Sequence, residues 1–93
     1  MFTPDTGGGA PCRGHVLIVD DEVNMQLVLA EAFEDEGHRV TTASNGAEAV
    51  RAIGACDFDL LILDLKLPDT TGIELFRTAR EMRPGIVAKL SPI

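Results

Sequence analysis

The sequence predicts an α/β domain built on a parallel sheet, and three features predict it. Short apolar runs alternate with stretches of helical periodicity along the chain. One run, Leu60 to Leu63, is apolar at every position, as in a strand covered on both faces. The order strand, helix, strand, helix, strand, helix, strand, with turn residues after each short run, is that of right-handed parallel crossovers.

Residues 1–14, MFTPDTGGGAPCRG, hold four Gly and two Pro without periodicity and read as a disordered lead-in to a domain spanning 15–93. The first strand covers 15–19. Val23 to Glu36 follows as a helix, with Met25, Leu29 and Phe33 at steps of four and Leu27, Val28 and Ala32 widening the stripe. Gly37 ends it. Arg39 to Ala43 is a short strand whose main apolar residue is Val40. Asn45-Gly46 then opens a small-residue helix from Ala47 to about Ile53, closed by Gly54. The third strand lies in FDLLILD. Thr71 and Gly72 start a third helix reaching about Met82, and Pro84-Gly85 stops it before a weak fourth strand, Ile86 to Leu90.

Composition narrows the function. Ninety-three residues, 45% hydrophobic and 25% charged, allow one soluble domain with one core of modest stability. A formal net charge of -7, with the basic residues scattered, gives no footprint for a phosphate backbone, so no nucleic-acid binding is expected of this chain alone. No apolar run is long enough to span a membrane and no secretory signal is evident, which reads as a cytoplasmic protein. Cys12 and Cys56 lie in unlike contexts and are expected as free thiols. His15 and His38 read as polar flanks of strands.

The chemistry lies at the strand ends, where sheets of this kind bind their ligands. The first strand runs into Asp20, Asp21 and Glu22, and the third into Asp64. Three converging carboxylates repel one another by roughly 4 kcal/mol per pair at ~4 Å and an effective dielectric near 20. Something must offset that. Asp20 and Asp21 taken alone serve equally well as acids at a helix N-terminus. With Asp64 beside them, either a shared proton or a divalent cation is needed. An all-oxygen, partly exposed site favours Mg2+ or Mn2+ over zinc. Such a site suits phosphoryl transfer, with Asp64 as the nucleophile, because carboxylates form aspartyl-phosphates.

HVLIVDDE, SNGAEAV and DLLILDLKLPDTTGIEL together resemble the receiver domain of two-component response regulators, in a subclass with Asp-x-Lys-x-Pro at the acceptor. The resemblance spans residues 15 to about 86. It implies a flavodoxin-like (CheY-like) three-layer sandwich and transfer of a phosphoryl group to Asp64 from a sensor histidine kinase or phosphotransfer protein. It further implies magnesium held by Asp21 directly, by Asp20 mainly through water, by the Asp64 carboxylate and by the Lys66 backbone carbonyl. Pro68 and Gly72 would shape the loop carrying the acceptor. The chain is then a phosphoacceptor rather than an enzyme, with at most weak self-phosphorylation and autodephosphorylation.

The likeness lapses from Val87 onward. The family continues through a fifth strand, bearing a Lys beside a Pro, and a last helix, whereas this sequence stops at Ile93, so about four strands and three helices are expected. Lys89 is wrongly placed to replace that lysine. Ser91 is the candidate for the hydroxyl that ends the family's fourth strand if the register shifts by one, and the Lys66 side chain is the other candidate phosphoryl contact. An open sheet edge and an uncovered face of the first helix predict homodimerisation by edge pairing or element exchange.

Three other functions compete. A flavin module needs a hydroxyl- and glycine-rich loop where the acids stand, and an aspartate-nucleophile phosphatase needs an Asp at position 66, which is Lys. The third is a degenerate, non-phosphorylatable receiver acting as a protein-interaction module.

Overall fold

In the structure, a computed structural model that describes residues 14–90, alternation along the strands sorts the apolar side chains into two layers. The elements are β1 (His15–Val19), α1 (Val23–Asp35), β2 (Arg39–Ala43), α2 (Gly46–Ala55), β3 (Leu60–Leu63), α3 (Gly72–Met82) and β4 (Val87–Leu90). Leu17, Val19, Leu61 and Leu63 pack with Ala49 and Ile53 of α2 and Leu75 and Ala79 of α3. Val16, Ile18 and Ile62 point the other way, against Leu29, Ala30 and Phe33 of α1.

The strands run in the order β2-β1-β3-β4, and every pairing is parallel. That order is the flavodoxin-like one, with its topological switch point between the parallel strands β1 and β3. Register aligns Val19 with both Ala43 and Leu63, so the carboxyl ends of β1, β2 and β3 finish level. Leu17, Ile18, Ile53 and Leu61 have no exposed surface, and burying each contributes about 1.5 to 3 kcal/mol. The two central strands are therefore the most firmly held. Edge strand β4 leaves Val87 54% exposed.

Several boundaries differ from the sequence expectation. Helix α2 begins at Gly46 and runs through Gly54 to Ala55. Its start is fixed by Asn45, whose Oδ1 accepts from the Glu48 amide at 2.8 Å, while Glu48 Oε1 accepts from the Ser44 amide at 2.8 Å. Gly54 continues the helix because no left-handed turn forms there; among the described glycines, positive φ is confined to Gly14 and Gly37. Strand β4 begins at Val87, one residue late, since the Ile86 amide is engaged by the Arg83 carbonyl at 3.0 Å.

Gly37 closes α1 as expected, at φ 93. Its amide donates to Glu34 O at 2.9 Å and that of His38 to Phe33 O at 3.1 Å, the paired bonds of a Schellman turn. Glu36 is the C-cap rather than a helical residue. The stripe of α1 holds at Leu29 and Phe33, but its flank is on the other side: Leu27 and Val28 are 63% and 60% exposed, and the face turned to the sheet runs through buried Gln26 and partly buried Leu29, Ala30 and Phe33. Those four fall at helical spacing, with a glutamine at their head.

At the opposite end of the sheet His15 is buried, its Nε2 2.7 Å from Thr41 Oγ1 and its ring tilted by 50° against that of Phe58 with centroids 4.3 Å apart. Cys56 Sγ lies 3.5 Å from His15 Nδ1. Cys56 is disulfide-bonded, not the free thiol expected from unlike sequence contexts, which carry no information on tertiary pairing; Cys12 lies outside the described residues. Burial, reinforced by the Arg39 charge, holds the imidazole below its usual 6.5 against a smaller upward pull from Asp59. The unfolded chain therefore takes up this proton first. Its contribution to stability is complete above pH 6.5 and declines as pH falls from 6.5 towards the lower folded value. Urea unfolding midpoints measured across that window should fall with pH, and His15→Gln should flatten that part of the profile.

The lead-in residues 1–13 and Ser91 also lie outside the described residues.

Candidate functional site: an acidic crevice between β1 and β3

The acids stand where the two central strands end. The Asp20 amide donates to Ala43 O at 3.0 Å and the Asp64 amide to Val19 O at 3.0 Å, so ladder hydrogen bonds carry both residues to the same edge. Asp20 is 5% exposed. Its Oδ1 accepts from the Glu22 amide at 2.9 Å, turning the chain into α1. Glu22 is the N-cap of that helix and makes no side-chain cap bond of its own.

Gln26 completes this corner. Its Nε2 donates to Asp20 O at 2.6 Å, lies 3.3 Å from Ala43 O, and lies 3.2 Å from Ser44 Oγ. A buried amide here fixes the path of β1 into the acidic loop and ties it to the end of β2. Gln26 is not marked by the sequence, because a polar side chain adds nothing to the apolar periodicity of a helix.

Carboxylate oxygens of Asp20, Asp21 and Asp64 all lie within 4.8 Å of one another. Asp20 is buried, Asp64 half-buried and Asp21 exposed. Among the described residues no lysine or arginine forms an ion pair with any of the three; the salt bridges join Arg77 to Glu74 and Arg83 to Asp57. Three like charges at this separation, with oxygen donors only, fit a hard divalent cation. The sequence-predicted trio is thus brought together.

Lys66 stands differently. Its amide lies 3.4 Å from Asp64 Oδ1, a long contact, and its side chain is exposed. The loop from Asp64 to Gly72 closes on itself through Leu67 N to Thr70 O at 3.1 Å, Gly72 N to Leu65 O at 2.9 Å and a bridge between Lys66 and Thr71. Thr71 caps α3, its Oγ1 accepting from the Glu74 amide at 3.2 Å. Gly72 is required at this closure: a β-carbon there would sit 2.6 Å from Asp64 O and 3.3 Å from Leu65 Cα.

A flavodoxin-like sheet with a carboxylate crevice at its switch point defines the class: an α/β domain that gathers acids able to hold a cation at the carboxyl ends of its central strands. The particular family follows from comparison with known proteins. The family model for the response regulator receiver domain matches residues 16–88, and the chain belongs to that family, as the sequence motifs imply. It is 40% identical over 68 residues to the transcriptional regulatory protein TcrA of Mycobacterium tuberculosis, covering 73% of this chain and 27% of that protein. Among solved structures it is similar to the response regulator TrrA of Thermotoga maritima in complex with Mg(2+)-BeF, with a TM-score of 0.73, 36% identity, and coverage of 82% of this chain and 64% of that one. It is also similar to a structure of histidine kinase ThkA in complex with TrrA, with a TM-score of 0.76, 34% identity, and coverage of 82% and 66%. The chain spans under a third of the length of the curated relatives it matches. Among the described residues no helix is long and apolar enough to cross a membrane.

Proposed function

We propose that this chain accepts a phosphoryl group on Asp64 from the phosphohistidine of a sensor histidine kinase or phosphotransfer protein. An Asp64 carboxylate oxygen attacks phosphorus in line, an O–P bond forms as the N–P bond breaks, and the imidazole leaves with a proton from solvent. The observation that carries the reading is the convergence of three carboxylate oxygens within 4.8 Å, with no protein cation paired to them among the described residues. Mg2+, or Mn2+, would be held by Asp21, by Asp64, by Asp20 and by the Lys66 backbone carbonyl. When bound it supplies charge neutralisation for the phosphoryl oxygens. The chain's own residues position the nucleophile: the Val19 carbonyl holds the Asp64 amide, and Gln26 braces the acids opposite. The likeness to a regulator complexed with Mg(2+)-BeF, and to one bound by a histidine kinase, supports the same reading.

Magnesium-dependent labelling by radioactive acetyl phosphate, removed by chelation before addition, tests it. A protein that binds magnesium but takes no label is instead a degenerate receiver serving as an interaction module.

Self-association belongs to the proposal. Edge strand β4 exposes Val87, and α1 exposes Val23, Leu27 and Val28, apolar surface of the kind that pairs chains. Sedimentation velocity should show a concentration-dependent dimer, and a monomer at high concentration removes this element.

A further inference from the structure

Helix α2 lies outside the acidic crevice, yet its N-terminus is tied to the loop that carries Asp64. Asn45 satisfies the Glu48 amide. The two amides before it are taken by a residue from another element: Asp69 Oδ1 accepts from Gly46 N at 2.8 Å and Asp69 Oδ2 from Ala47 N at 3.0 Å. One carboxylate thus serves two of the four donors that a helix start leaves unpaired. The bonds are charge-assisted and lie at the positive end of the helix.

Seen from the loop, this contact is singular. Its remaining hydrogen bonds, from the Lys66 amide to Asp64, from the Leu67 amide to Thr70, from the Gly72 amide to Leu65 and from the Glu74 amide to Thr71, stay within the loop or reach only its own following helix. Among the described residues, the Asp69 pair is the hydrogen bonding that fastens residues 65–71 to a distant element. The fit is close. A β-carbon on Gly46 would meet Thr70 Cγ2 at 2.6 Å and Asp69 Oδ1 at 3.2 Å, so the loop rests directly on the backbone of α2.

We infer that Asp69 is a positioning residue for the divalent cation: by docking the loop on α2 it keeps the Asp64 carboxylate convergent with those of Asp20 and Asp21. The inference rests on the reading of those acids as a cation site. The Asp69 carboxyl is held below the usual carboxylate range, first by the Gly46 amide, so the anion that accepts both bonds is the form present at neutral pH.

Calorimetric titration with magnesium chloride alone, at a temperature where circular dichroism shows each variant folded, tests this. Asp69→Ala should bind magnesium about tenfold more weakly, the low end of what loss of an outer support costs a metal site. Asp69→Asn, which keeps one acceptor, should recover part of that loss. Gly46→Ala should weaken binding with Asp69 intact, because it wedges the same contact open from the other side. Unchanged affinity in folded Asp69→Ala and Gly46→Ala, with only lower melting temperatures, overturns the inference and leaves Asp69 as a helix cap. If Asp69→Ala does not fold, Asp69→Asn and Gly46→Ala decide by the same comparison. Absence of magnesium binding by the parent protein overturns the cation reading itself, and with it this inference.

Discussion

Asp64→Asn abolishes labelling by acetyl phosphate while leaving the protein folded and at least as stable as the parent without metal. The amide oxygen is neutral and its nitrogen lone pair is delocalised, so the nucleophile is lost although the shape is kept. Labelling should drop at least ~100-fold, equivalent to about 2.7 kcal/mol of barrier. Folding is the usual confounder of such a result, and here electrostatics acts in the opposite direction. Removing one of three charges whose oxygens lie within 4.8 Å relieves repulsion, less than the roughly 3 kcal/mol per pair expected at an effective dielectric of 20 because Asp21 faces solvent. Thermal melts without metal should therefore show an unchanged or raised midpoint. Magnesium should separate the two proteins further. A ligand at 100 times its dissociation constant stabilises the folded state by about 2.7 kcal/mol, and this gain should shrink in the variant, which offers one anionic ligand fewer. Retained label in Asp64→Asn would place the acceptor elsewhere.

Strand alternation and the acid clusters were readable because each is written in consecutive residues. Leu60–Leu63 announced a doubly covered strand, and the parallel register of β1 with β3 then brought Asp20, Asp21 and Asp64 to one edge. What escaped was information that exists only between elements. Leu29 and Phe33 of α1 face the core as the periodicity implies, but the flank of that stripe lies on the side of Gln26 and Ala30 rather than Leu27 and Val28, and the burial of Gln26 depends on carbonyls at the ends of β1 and β2. Nothing in the sequence marks Asp69, since its partners lie 22 and 23 positions away. Gly54, a plausible stop by composition, remained helical because the turn residue that follows a helix needs a left-handed backbone, which only context supplies.

Gly72→Ala should damage the site and the fold together, and comparison with two other glycines isolates the reason. Its new methyl would lie 2.6 Å from Asp64 O and 3.3 Å from Leu65 Cα, backbone atoms that cannot swing aside as a side-chain end can. Either the start of α3 moves or the Asp64 peptide does. Gly72 N donates to Leu65 O at 2.9 Å, so separation also stretches the bond that closes the loop. Overpacking of this kind costs about 1 to 3 kcal/mol, and 1 kcal/mol shifts the melting midpoint by about 4 to 8 °C in a domain of this size. Gly37→Ala has open space around its β-carbon but a backbone at φ 93, so it should lose about 1 kcal/mol of stability with magnesium affinity intact. Gly85→Ala has neither clash nor positive φ and should stay within about 0.5 kcal/mol of the parent. Stability alone does not distinguish Gly72 from Gly37; magnesium titration does, since only the Gly72 methyl pushes on Asp64, which bears one of the three clustered carboxylates. Equal magnesium affinity in Gly72→Ala and Gly37→Ala would mean that the Asp64 side chain keeps its place when its own carbonyl is displaced, and that the loop closure serves the fold without serving the site.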